Sequence, residues 1–388
     1  MVDLLNYKFL NKSLKNGFFV LLLYLFTLFI NDYLHLTNLK VTDTDFYLDI
    51  IKKINKFDER KLITTPLYII EIDDKDIKKY NLNSYAIPKS MINEILQKYN
   101  NTNAKLLFID LDISKYSCID SKEPTSSDLK LIETLNSSKK RILLPFMSNA
   151  PIYLEVNNTK VSTFSVEFIA NDAKSVKTYS SQMKDKDTVA YAIYKEMTNS
   201  YNDLNTNQYW IDEKLSNLIV YKEFDKNNSY YSGLSKISLR EFLTSDNSYE
   251  DAIFLLGRVD KNSNDLFNTP IGVLSGIEIH ANAIMSMYYY GEIKSYHLLS
   301  ILIAFILGFT FSFVFELLKI NTNISKNKED VAAGVGIMIF SALCLITTYF
   351  LLERHSVWLD YQKVVFVFTT YEVLKIIIEN SLLKRKSL

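Results

Sequence analysis

The chain has 388 residues and carries 44 Lys+Arg against 44 Asp+Glu. That balance excludes recognition of nucleic acid, or of any polyanion, by bulk charge. Hydrophobic residues make up 48%, an ordinary share, but they are gathered into separate runs, and the unevenness sets the organisation of the chain. The two cysteines are Cys118 and Cys344. They supply no metal-ligand set, and Cys344 lies inside an apolar run, so the pair is not expected to form a disulfide.

The first run, FFVLLLYLFTLFI over Phe18–Ile30, follows Lys8, Lys12 and Lys15. This has the charge and apolarity of a signal peptide. The succeeding NDYLHL offers no small-residue cleavage site, so the segment is read as an uncleaved anchor rather than a removed leader. A membrane span of 17–36 is expected, with Asn31 and Asp32 near the outer interface. The polar stretch FYLDIIKKINKF then reads as a helix continuing from this span or packed just beyond it.

The next apolar runs are short, and the first two end in acids. LYIIEIDD (Leu67–Asp74), AKLLFIDLDI (Ala104–Ile113) and RILLPFM (Arg141–Met147) read as buried strands. Between them, IPKSMINEILQKY (Ile87–Tyr99) has Pro88 at a helix start and apolar residues at Met91, Ile92, Ile95 and Tyr99. Ser126 or Ser127 is placed to cap a second helix through Leu135. Strand, helix, strand, helix, strand at this spacing predicts a right-handed, parallel α/β arrangement. Pro151 to Gln182, with YLEV and STFSVEF, alternates as antiparallel strands do. DTVAYAIYKEM reads as helix, LIVYKEF as strand, and AIFLLGRVD (Ala252–Asp260) as another buried strand. The expected fold is therefore an α/β domain with a mixed, largely parallel sheet.

The stretch DLFNTPIGVLSGIEIHANAIMSMYYYGEIK (Asp265–Lys294) closes this domain. Asn268–Thr269–Pro270 predicts a turn. A helix from Gly276 to Tyr290 would bury Ile277, Ala281, Ile284 and Tyr288 on one face and turn Glu278 and Asn282 to another. Tyr288, Tyr289 and Tyr290 suit the depth at which a chain enters a membrane interface.

Three more apolar runs follow. LLSILIAFILGFTFSFVFELL has one charge, Glu316, at its far end, and VAAGVGIMIFSALCLITTYFLL has none. Both are long enough to span, and Gly334 with Gly336 permits close helix packing. Val357–Ile378 contains Asp360, Lys363, Glu372 and Lys375; it is read as a fourth span, with an interfacial helix as the alternative. Cations cluster in the N-terminus, at Lys319, Lys326 and Lys328, and at Lys384, Arg385 and Lys386, whereas the loop before the fourth run holds only Arg354. The positive-inside rule then gives a layout: cytoplasmic 1–16, span 17–36, extracytoplasmic domain 37–296, span 297–318, cytoplasmic loop 319–330, spans 331–352 and 357–378, and cytoplasmic tail 379–388.

IDDKDIKKY after one strand, AKLLFIDLDI one helix later, and IFLLGRVD with DLFNTPIGVLSGIEIHANAI before clustered apolar runs together resemble a CHASE2 domain, over roughly Leu62 to Gly291. The D-x-x-x-T-P turn followed by G-I-E-I-H-A-N-A-I is the most specific part. SYAIPKS replaces the aromatic W-P-W-x-R turn common in the family, and the aromatic expected near Ser114 is absent. The resemblance implies an extracytoplasmic sensor module of bacterial signalling proteins, in the cytoplasmic (inner) membrane with its large domain in the periplasm or outside the cell. Family members usually continue into a cyclase or kinase, whereas a short basic tail follows Ile378 here. The expected partners are therefore the bilayer and a separate membrane or cytoplasmic signalling protein, or further copies of the chain, and no nucleic acid.

Candidate chemistry gathers at strand ends. Asp73, Asp74, Asp110 and Asp112 follow adjacent candidate strands, where open α/β sheets bind ligands and where carboxylates can hold a divalent cation or a cationic ligand. The bland alternative is that they cap helices or face water. Asp265 near Arg258 could order the turn or meet a ligand. Glu278 and His280 sit on the following helix, where a core histidine is the plainer role. No catalytic residue is singled out, because nucleophilic triads, phosphate loops and paired histidines are missing, and the pattern leaves cofactor and metal open. Besides a sensor, the pattern admits a scaffolding subunit of an envelope complex or an exported metal-dependent hydrolase.

Overall fold

The computed structural model describes residues 64–80, 87–117, 123–146, 150–166, 186–198, 233–269 and 271–290. It also describes shorter pieces at 169–170, 176–180, 182–183, 216–219 and 294–295, and positions within 302–358. The expected spans, the loop between them, both tails and FYLDIIKKINKF lie wholly or largely outside the described residues. Among the described residues, no helix is long and apolar enough to cross a membrane. The chain divides into two units, Leu48–Glu292 and Met1–Tyr47 with Ile293–Leu388.

The first of these units is built on six strands: β1 (Leu67–Ile72), β2 (Leu106–Ile109), β3 (Arg141–Pro145), β4 (Val161–Phe164), and, after the short β5 (Ile169–Ala170), β6 (Val176–Ser180), β7 (Gln182–Met183), β8 (Lys186–Asp187) and β9 (Ser216–Leu218), the late strands β10 (Leu234–Ser238) and β11 (Ile253–Arg258). Their order is β10-β1-β11-β2-β3-β4, and every pairing within this sheet is parallel. β11 enters last and fills the centre, between β1 and β2. That position explains why IFLLG is an unbroken apolar run: a central strand has both faces covered.

Seven helices are described: α1 (Asp74–Lys79), α2 (Lys89–Asn100), α3 (Ser126–Ser137), α4 (Pro151–Leu154), α5 (Val189–Thr198), α6 (Leu239–Thr244) and α7 (Gly276–Tyr290). Alternate strand residues Ile70, Ile72, Leu107, Ile109, Phe254 and Leu256 pack with α2, α3 and α6 in one continuous core. Phe254 sits at its heart, with Tyr68, Tyr99, Phe242 and Tyr249 around it at ring distances of 5.0–6.4 Å. The intervening residues face the other way, towards α7, on which α5 packs in turn.

Several expectations are corrected. The main sheet is wholly parallel rather than mixed; among the described residues, antiparallel pairing is confined to the small separate sheets β5-β6-β9 and β7-β8 and to a hairpin before α7. YLEV is not a strand: Pro151 at N1 starts the short α4 there. STFSVEF supplies β4, a parallel edge strand, because its backbone continues the crossover pattern from β3. The strand expected over LIVYKEF lies at Ser216–Leu218 and shares only Leu218 with it, while 220–224 lie outside the described residues. The cap of α3 is Thr125, one residue ahead of the expected serines, because Asp128 completes a capping box with it. The turn before α7 is part of a hairpin, β12 (Leu266–Thr269) against β13 (Gly272–Ser275). Gly272 returns the chain at a φ of 120°, a conformation that L side chains rarely adopt.

Helix α7 itself has the expected limits but not the expected polar face. Ile277, Ile279, Ala281, Ala283, Ile284, Met285 and Met287 are all buried, and so are His280, Asn282 and Ser286. Five large apolar side chains at about 2 kcal/mol each give on the order of 10 kcal/mol in favour of seating the helix. That outweighs burial of one amide whose Nδ2 donates to the Glu278 carbonyl at 3.0 Å and one neutral imidazole. The helix comes so close to β11 that a Cβ built on Gly257 would lie 2.6 Å from the Ile277 Cβ. Gly257→Ala is therefore expected to push α7 off the sheet and lower stability by about 1–3 kcal/mol, read as a fall in Tm in thermal unfolding; an unchanged Tm would mean the helix is seated elsewhere.

Candidate functional site

The carboxyl edge of the sheet gathers the ends of β1, β10, β11 and β2, and the expected acids separate there into different roles. Asp73 is the N-cap of α1: its Oδ1 accepts from the Lys75 and Asp76 amides at 2.7 and 3.0 Å, and Asp76 closes the capping box by accepting from the Asp73 amide. Asp74 is the first residue of that helix, where a negative charge favours the dipole. Asp112 accepts from both the amide and the hydroxyl of Ser114. With Asp128 it also faces Lys89, whose pKa burial pushes down against the pull of those two carboxylates. These three acids do the structural work that acids after strands commonly do.

Arg258 and Asp265 are not partners. The Arg258 guanidinium grips Asp260 at 2.7 and 2.8 Å. Asp265 instead holds the hairpin to α7: its carbonyl accepts the Gly276 amide at 3.0 Å, and a Cβ on Gly276 would lie 2.3 Å from its Oδ2. Only glycine leaves room for that carboxylate at the helix start. Thr269 Oγ donates to the Gly272 carbonyl at 2.6 Å, so it closes the hairpin, the ordering role.

Asp110 and Asp265 are the one pair of expected acids that the fold brings together. Burial first, and the Asp265 carboxylate second, hold Asp110 well above the usual carboxyl range. Burial raises Asp265 to about 6, against the opposing pull of the Gly276 amide. Two half-buried carboxyls this close cannot both ionise cheaply. His280 stands apart from them, buried beneath β2 with its ring edge-on to Phe108 at 5.6 Å, and burial lowers its pKa to about 3. It is a neutral core histidine.

Glu278 belongs to a different constellation, most of which the sequence did not single out. Its Oε1 lies 2.5 Å from Lys236 Nζ, and Lys236 is also 2.7 Å from Glu71 Oε1. The other Glu278 oxygen accepts from the Ser275 amide and hydroxyl at 2.8 and 2.9 Å. Burial works against the Lys236 charge, but the two glutamates outweigh it and raise its pKa. These three side chains floor a cleft of about 360 Å³ that Lys261 and the hairpin also line. Glu71 and Lys236 are internal strand residues of β1 and β10, and only the fold brings them to Glu278 on α7. Among the described residues, no three His, Cys, Asp or Glu side chains gather as a metal centre requires.

The Asp110–Asp265 pair generates a pH prediction. A carboxyl whose pKa rises from 3.8 to about 6 on folding binds its proton more tightly in the folded state. Its stabilising contribution is therefore complete below the lower value and lost as pH rises through the upper one. His280 acts oppositely, losing stability as pH falls from 6.5 towards about 3, but it is common to wild type and variant. Asp265→Asn is thus expected to raise stability by on the order of 2 kcal/mol at about pH 7 and to change it little at about pH 4. Thermal unfolding across that range checks this; a destabilised variant at neutral pH would contradict it.

A family model described as the CHASE2 domain matches residues 18–315. The match begins in the first apolar run and ends in the second, so it takes in the whole strand-and-helix unit described above and extends beyond the roughly 62–291 that the motifs themselves mark. No curated protein matches the chain, and no solved structure does. A match over that much of the chain, on a parallel sheet whose last strand, hairpin and helix carry the most specific motif, establishes that the protein belongs to the CHASE2 family of extracytoplasmic sensor domains.

Proposed function

We propose that the protein is a membrane-anchored sensor: its outer domain detects a signal and passes a conformational change through its membrane spans to a separate partner. The family gives the sensory role, and α7 is the observation that favours a relay. The helix is buried from Ile277 to Met287 apart from the half-buried Glu278, continues directly from the hairpin at the carboxyl edge, and ends at Tyr290, seven residues before the run starting at Leu298. A short connection transmits a rigid-body shift, whereas a long flexible linker absorbs it.

The charge pattern supports the four-span layout in the bacterial cytoplasmic membrane. The second unit adds one observation. Lys294–Ser295 pairs in parallel with Val357–Trp358, so the chain runs in the same direction at the start of the second and the fourth apolar runs. Two segments entering the bilayer from the same side would do this.

Inserting several Gly and Ser residues after Gly291 is expected to leave the outer domain folded and the protein in the membrane, yet abolish its response. The experiment complements a strain lacking the gene, with limited proteolysis of membranes as the folding control. Ala281→Lys is expected to fail differently, by destabilising the outer domain itself, because the charge would be buried without a partner. If the inserted protein complements fully, α7 is a tether, and a scaffolding role in an envelope complex becomes the better reading.

A further inference from the structure

The cleft at the carboxyl edge has a charge layout that selects its occupant. The Glu71–Lys236–Glu278 floor holds two carboxylates and one ammonium, a net single negative charge. Glu278 is fully engaged, by Lys236 on one oxygen and by Ser275 on the other. Glu71 spends only Oε1 on Lys236, and its second oxygen takes no hydrogen bond among the described residues. An acceptor is therefore turned to the cleft with a negative field behind it. Lys261, exposed and without an ion pair among the described residues, supplies one positive charge on the same cleft. Between these poles the walls are apolar: Val259, Leu266 and Val273.

From this arrangement we propose that the cleft binds a small zwitterion with an apolar body, of amino-acid to dipeptide size, its ammonium on Glu71 and its carboxylate on Lys261. The volume of about 360 Å³ is at the lower end of what small-molecule sites offer, roughly 300–1,000 Å³. A hard cation does not fit, because the Lys236 ammonium occupies the place between the two carboxylates, and a bare anion meets the negative floor. The proposal deepens the sensor reading. Leu266, Val273 and Ser275 lie on the hairpin that runs straight into Gly276, so an occupant would touch the strands that start α7.

The test uses the full chain in detergent micelles, titrated with the standard amino acids and with leucyl-leucine and valyl-valine at up to millimolar concentration. Thermal shift and calorimetry are the readouts. At least one free zwitterion is expected to bind, and its N-acetylated and C-amidated forms are expected to lose about tenfold or more in affinity, since each removes one charged contact. Glu71→Gln should weaken binding similarly. Val273→Trp, at a side chain 62% exposed, should keep the Tm of the unliganded protein and block the cleft. The proposal is overturned if no free amino acid or dipeptide binds, if the blocked forms bind equally, or if Val273→Trp binds as the parent does. Binding is read without any signalling output, so a failure here leaves the relay standing, and a relay that fails leaves binding intact.

Discussion

The approach of α7 to β11 at Gly257 is the constraint on which the rest of the outer domain depends. With no Cβ at that position, the Ile277 side chain can lie directly on the backbone of the central strand. A second glycine, Gly276, lets the Asp265 carboxylate lie against the first turn of the same helix. The two contacts fix the depth of α7 and its start. Everything along its axis then follows: a helix held that close must be apolar nearly all round, and α5 covers the side that the sheet does not reach. His280 and Asn282 are tolerated because one is neutral and the other satisfied locally by the Glu278 carbonyl.

The charged groups at the carboxyl edge divide by how they are solvated. Asp110 and Asp265 are desolvated together and favour protonation, so they contribute a place where neutral pH costs stability. Glu71, Lys236 and Glu278 are charged and mutually neutralised but for one unit. In the first, Asp265 also ties the hairpin to the start of α7 through the Gly276 amide. The second opens onto a cleft. Both lie on the path from the strand ends to α7, which puts stability and recognition within a few residues of the element proposed to carry the signal.

Much of the fold was legible in the sequence because burial on both faces leaves a plain mark. β1, β2, β3 and β11 were all read as short apolar runs, α2 and α7 by their spacing, and α3 by its capping serines. What could not be read was pairing. The pattern at 151–182 alternates, but alternation says only that one face is wetter, and β4 turned out to be a parallel edge strand. LSKIS, which forms β10, mixes Lys236 among its apolar residues and gave no strand signal, since its polar side chain is stabilised by glutamates distant in sequence. The site suffered for the same reason. Glu278 was picked out by its motif, but the Lys236 and Glu71 of its cluster come from β10 and β1. The acids after strands were conspicuous, but Asp73 caps a helix and Asp112 accepts from Ser114, roles that their local hydrogen bonding favours.

The claim at the centre of this account is that α7 belongs to the rigid core rather than lying on it. Hydrogen–deuterium exchange on the full chain addresses that directly, because amides that open together exchange with one free energy. The account predicts that the amides of Ile277–Met287 are protected as strongly as those of β11 and are lost with them in one cooperative step under mild denaturant. Exchange across α7 that is orders of magnitude faster than in β11, with the sheet still protected, would contradict it.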